Sequence, residues 1–210
     1  MGKHEVSDAE SNGSISPGAK LRGLITSPDA TLVFPSPQAT ALAALQHGFA
    51  DEPATLVRTK AGRSLSRRRY HTAERAFLGI QAGFHDGRIR TALHEAGAVA
   101  KLALCGHLLD VGFPDLWLAK HIKQDISKAL AYANATGLGH ECPDLLRLAL
   151  ILTPYWKWGY PQLIGDPPMD TGGFTTDQVR TLMRALLERV HDVTGHTRPK
   201  GWQRMQEFRP

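Results

Sequence analysis

The segment FTTDQVRTLMRALLERVHDVTG, residues 174–195, leaves the chain the least conformational freedom. Thr175 and Gln178 stand at the spacing of a capping box, in which each side chain satisfies the other residue's backbone N–H, and Phe174 with Val179 stands at the spacing of a hydrophobic staple. Behind this cap, Val179, Leu182, Met183, Leu186, Leu187 and Val190 recur at three- and four-residue intervals and form one apolar stripe, which Gly195 ends. The pattern predicts an amphipathic helix over 176–193. Such a helix needs further packed elements to cover its stripe.

Those elements are legible along the rest of the chain. Residues 91–111 are apolar on most sides, with Leu93, Val99, Leu102, Leu104, Leu108 and Leu109 among small Ala and Gly residues, and predict a central buried helix. Pro114 opens a helix running to about Ala135 through Leu118, Ile122, Ile126 and Leu130, stopped by Gly137, and Pro143 starts a short apolar helix closed by Pro154. Ser36-Pro37 sets an N-cap and first helical residue ahead of Leu42 and Leu45, with Gly48 as the stop. Thr72 caps a helix carrying Phe77, Ile80 and Phe84 and ended by Gly87, while Thr55–Lys60 before it reads as a strand turning at Ala61-Gly62. The fold class is therefore all-α, a single domain of five or six helices, with room for a small N-terminal hairpin formed by Leu24–Thr26 and Thr31–Phe34. Residues 1–20 read as a disordered tail, 21–54 as hairpin and short helix, 55–195 as the helical core, and 196–210 as a C-terminal tail.

Composition excludes some classes. The longest apolar run, residues 89–111, carries His94, Glu95, Lys101, His107 and Asp110, too many polar groups for a membrane span. The N-terminus lacks a secretory pattern, so the chain is expected in the cytoplasm with Cys105 and Cys142 as buried thiols. The formal net charge of +5 is unevenly placed: residues 55–90 hold nine Lys or Arg against two acids. A concentrated positive field attracts polyanions. Arg58, Lys60, Arg63, Arg67, Arg68 and Arg69 lie within twelve residues and are followed by Tyr70; guanidinium forks match phosphate oxygens, so these residues are the candidate nucleic-acid contacts. A solvated charged face and an acidic protein partner are the competing explanations of the same run.

The stretch TPYWKWGYPQ, residues 153–162, sets Tyr155, Trp156, Trp158 and Tyr160 between two prolines. It reads first as an anchor fastening a long connection to the core, and second as a platform on which Trp156, Trp158 and Tyr160 stack against nucleobases or another flat ligand.

No Walker loop, dinucleotide glycine fingerprint or nucleophile elbow is present, and His140, Glu141 and Cys142 have no second pair at zinc-finger spacing; no cofactor and no metal are expected. A second functional possibility is a metal-free ribonuclease of the HEPN type, in which Arg184 would orient phosphate and His191 act as general base. The same Arg-to-His spacing recurs at Arg88 to His94 and Arg189 to His196, about as often as 16 arginines and 10 histidines produce by chance, so it establishes no family. The expected function is an accessory protein that holds nucleic-acid phosphates without reading sequence. The ribonuclease and a scaffold for an acidic protein are the alternatives.

Overall fold

A computed structural model describes residues 36–83 and 88–198. The expected hairpin, the tail over residues 1–20, the stop at Gly87 and residues 199–210 lie outside the described residues. Among the described residues seven α-helices follow in order: α1 (Ser36–Gly48), α2 (Lys60–Gly83), α3 (Ile89–Asp110), α4 (Asp115–Trp117), α5 (Ile126–Ala135), α6 (Pro143–Leu152) and α7 (Thr176–Thr194). A π-helical turn, Leu118–Ile122, extends α4, and a 3-10 turn, Tyr155–Gly159, follows α6. The protein is all-α: no sheet forms among the described residues.

The axis of the fold is α3. Its sides are buried almost all round, as its apolar composition requires, and α2, α5, α6, α7 and the 3-10 turn all pack on it. Small residues set the approach distances. A Cβ on Gly97 would lie 1.9 Å from Cβ of Tyr155, so the 3-10 turn sits directly on the backbone of α3. Past the C-terminus of α3, Gly112 has φ +106° and presses against the backbone of Val57, whose N–H it accepts at 3.1 Å. Among the described residues, 55–59 belong to no sheet.

Two boundaries differ from expectation. The second helix begins at Lys60, twelve residues before Thr72, because Thr59 supplies the cap: its Oγ1 accepts the Gly62 N–H at 2.9 Å. Thr72 sits inside that helix, its hydroxyl turned back to the carbonyl of Arg68 at 3.0 Å. The helix expected from Pro114 to Ala135 is broken into α4 and α5. Lys123 takes a left-handed φ of 49°, and the Asp125 side chain accepts the Lys128 N–H at 2.8 Å, capping α5 afresh.

Polar ties hold the periphery. Asp51, between α1 and α2, accepts from Lys128 at 2.8 Å, His121 at 3.1 Å and Tyr132 at 2.6 Å; burial alone would raise its pKa, but these donors hold it below the ordinary aspartate value. The connection from α6 to α7 is different. Over residues 160–168 it is exposed throughout, with Leu163 and Ile164 both in solvent, and its fastenings are Trp158 before it and Phe174 after it.

Candidate nucleic-acid interface

The basic run folds into the first half of α2, and helical periodicity divides it. Ser66, Tyr70, Ala73, Glu74, Phe77 and Ile80 are buried against α3 and α7. At about 100° per residue, Lys60, Arg67, Arg68 and Arg75 fall within an arc of about 100° on the other side, all four exposed. Arg63 flanks this arc, its side chain 42% exposed and its Nε 3.8 Å from Asp110. The only carboxylate of α2, Glu74, is 1% exposed. The solvent face of the helix therefore carries no negative charge of its own.

Three of the expected contacts are elsewhere. Arg58 is buried and donates to Asp110 at 3.1 Å across the end of α3. Burial raises the pKa of Asp110 against the opposing pull of Arg58 and Arg63, so releasing Arg58 to a phosphate would strand a carboxylate inside the protein. Arg69 points around the helix to Asp115 of α4, with which it forms an ion pair. Tyr70 is fully buried, its hydroxyl donating to Glu74 at 2.5 Å; burial, then Glu74, raises its pKa. None of the three is presented on the exposed arc. Arg75, which does join it, lies two helical turns beyond Arg67 and Arg68 and outside the run that the sequence singles out.

Trp158 is 6% exposed. Its indole donates to the Ile151 carbonyl at 3.3 Å, and its own carbonyl accepts from Arg90 of α3 at 3.1 Å. It fastens the α6–α7 connection, as the first reading of the aromatic stretch expects, and cannot stack on a base without leaving the core. Trp156 and Tyr160 are the exposed members, in edge contact at 5.5 Å.

Beside the arc, α2 meets α7 along a polar seam that sequence reasoning did not find, and the seam reaches into the arc at His71, which falls between Arg67 and Arg75 around the helix. Gly195 turns the chain back, and residues 196–198, expected to begin a tail, dock on α2. His71 Nε2 contacts the Thr197 carbonyl at 2.7 Å, and His191 Nδ1 contacts that of His196 at 2.6 Å. His196 itself is 1% exposed, its Nε2 2.6 Å from the Ser66 hydroxyl and 3.7 Å from Asp110. Ser66 gives its single proton to the Gly106 carbonyl, so Nε2 is the donor to Ser66. Burial, followed by Arg63 and Arg67, pushes the pKa of His196 down to about 4. The trio of Ser66, His196 and Asp110 is not a hydrolytic triad: one ring nitrogen faces both partners, and the serine is fully buried. Positions 66, 110 and 196 share no spacing by which a sequence could reveal them.

The ribonuclease pair borders this seam. Arg184 lays its guanidinium over the Phe77 ring at 4.5 Å, and His191 has one ring nitrogen engaged by the chain reversal, its ring 6.4 Å from that of Tyr70. Both side chains therefore take part in joining α7 to α2.

Cys105 and Cys142 are free thiols, the first buried and the second half-buried, and among the described residues no helix is long and apolar enough to cross a membrane. Comparison with protein-family models, with curated proteins and with solved structures finds no match to this chain.

Proposed function

We propose that this chain is an accessory nucleic-acid-binding protein whose α2 face, formed by Lys60, Arg67, Arg68 and Arg75 with Arg63 at its edge, holds phosphates without reading base sequence. One observation carries the reading: the helix withdraws its only acid into the core while it leaves four cations in solvent on a single face. Cations already neutralised by buried partners release few counterions on binding; exposed ones release one each. No zinc finger or aromatic RNA-recognition signature accompanies the cations, which fits phosphate contact without base readout. The reading places the chain in the cytoplasm, in keeping with two unpaired cysteines.

The test is a salt titration of binding to mixed-sequence nucleic acid. Changing Arg67, Arg68 and Arg75 together to alanine should weaken binding to every sequence and flatten the slope of log affinity against log salt by about three times 0.7 to 0.9. Melting should be nearly unchanged, because surface substitutions usually stay within about 0.5 kcal/mol. A chain that binds no nucleic acid but retains an acidic polypeptide would instead be a scaffold for a protein partner.

A further inference from the structure

The α2 face has a spacing as well as a sign, and the spacing bears on which nucleic acid it fits. At 1.5 Å of rise per residue, Lys60 stands about 10 to 12 Å along the axis from Arg67 and Arg68, and these stand about 10 to 12 Å from Arg75. The exposed cations thus form three ranks. The backbone spacing of these ranks is held by the buried side of the helix, where Tyr70, Ala73, Phe77 and Ile80 have no exposure and where Ser66 is bonded to α3 and to the docked chain end. A rigid array of this kind suits a ligand whose phosphates stand in rows of comparable separation. The major groove of B-form DNA is about 12 Å wide between its two strands, whereas that of A-form RNA is narrow and deep. A single strand presents no fixed rows, and proteins that hold single strands add aromatic platforms to their cations. Here Tyr70 and Trp158 are both buried, and the exposed Trp156 and Tyr160 belong to the turn after α6 rather than to the cationic helix.

Resting on the proposed nucleic-acid reading, we infer that the ligand of the α2 face is duplex DNA, with adjacent ranks of cations contacting phosphate rows on opposite sides of the major groove. The helix lies across the mouth of the groove, since its other side is packed against α3 and α7.

Fluorescence anisotropy with the full chain decides this, using three labelled probes of equal phosphate number: a mixed-sequence DNA duplex, the matching RNA duplex and a DNA single strand. The DNA duplex should bind about tenfold tighter than either of the others at the same salt, since only it presents rows at the matching separation. A second arm moves charge without removing it. The combination Ala61→Arg, Ser64→Arg, Arg67→Ser and Arg68→Ala keeps the net charge, empties the middle rank and places its cations on exposed positions nearer Lys60. It should retain binding to all three probes and lose the preference for the DNA duplex, with thermal melting confirming that the fold is kept. Equal affinity of the unmutated chain for the three probes, tighter binding to the RNA duplex, or a duplex preference that survives the relocation would overturn the inference and leave the nucleic-acid reading standing. Absence of binding to every probe would overturn both.

Discussion

Histidine shows most clearly how position decides chemistry in this chain. His71 and His191 are half-exposed and hold the docked chain end through main-chain carbonyls, whereas His107 and His196 are buried in α3 and in the polar seam. Burial pushes the pKa of both buried imidazoles down to about 4, from an ordinary value of 6.5. The sign follows directly. Below 6.5 the unfolded chain takes up protons that the native protein refuses until about pH 4, so the stability present above pH 6.5 is lost as pH falls through that window. Each group should remove about 2 kcal/mol between pH 7 and pH 5. Urea unfolding at the two pH values checks it, and His107→Leu should flatten its share of the difference. A wild-type stability unchanged between pH 7 and pH 5 would contradict neutral burial. Arginine divides in the same way. Arg58 and Arg67 are equivalent as letters in a basic run, yet one is buried against Asp110 and the other stands in solvent. The run was visible in the sequence; its division was not, because that depends on where the face of α2 begins.

Among the elements, α7 was read almost residue for residue: expected over 176–193, it spans Thr176–Thr194, with both bonds of the capping box formed and Gly195 left-handed at its end. All of its instructions are local, within one turn of each terminus. Its stripe faces inward, Leu186 being fully buried among residues that include Ala100, Leu104, Leu145 and Met183. Leu186→Ala should therefore cost about 2 to 5 kcal/mol by denaturant unfolding, whereas a loss near 0.5 kcal/mol would place that face in solvent. α3, α6 and α1 were legible for similar reasons, through apolar runs bounded by Pro and Gly. The failures lie where local signals compete. Thr59 and Thr72 both suit an N-cap, and the segment ahead of Thr59 is tied to Gly112 through the Val57 N–H, a contact between positions distant in sequence. The break at Lys123 is of the same kind: the apolar spacing of Leu118, Ile122, Ile126 and Leu130 continues through it, and only the competing cap at Asp125 marks a new helix.

At the scale of the whole molecule, the candidate site and the main core lie on opposite sides of α2, so binding and stability can be altered separately through the exposed arc. The exposed connection before α7 has a further consequence. The helix it delivers buries Val179, Met183, Leu186, Leu187 and Val190 and receives the polar ties of the seam, while the connection at Leu163 and Ile164 makes no buried contact. Peptide continuity at that point contributes loop closure to folding and nothing to the packing of α7. Limited thermolysin digestion should cut first beside Leu163 or Ile164 and yield two fragments that elute together from a sizing column and melt as one unit, some degrees below the intact chain. Fragments that separate on the column would show that the connection does more than tether. When the fragments stay together, the packing of α7 on α3 and α2 acts as a heterodimer interface within one polypeptide, and the two fragments, expressed as separate chains, should reconstitute the fold on mixing.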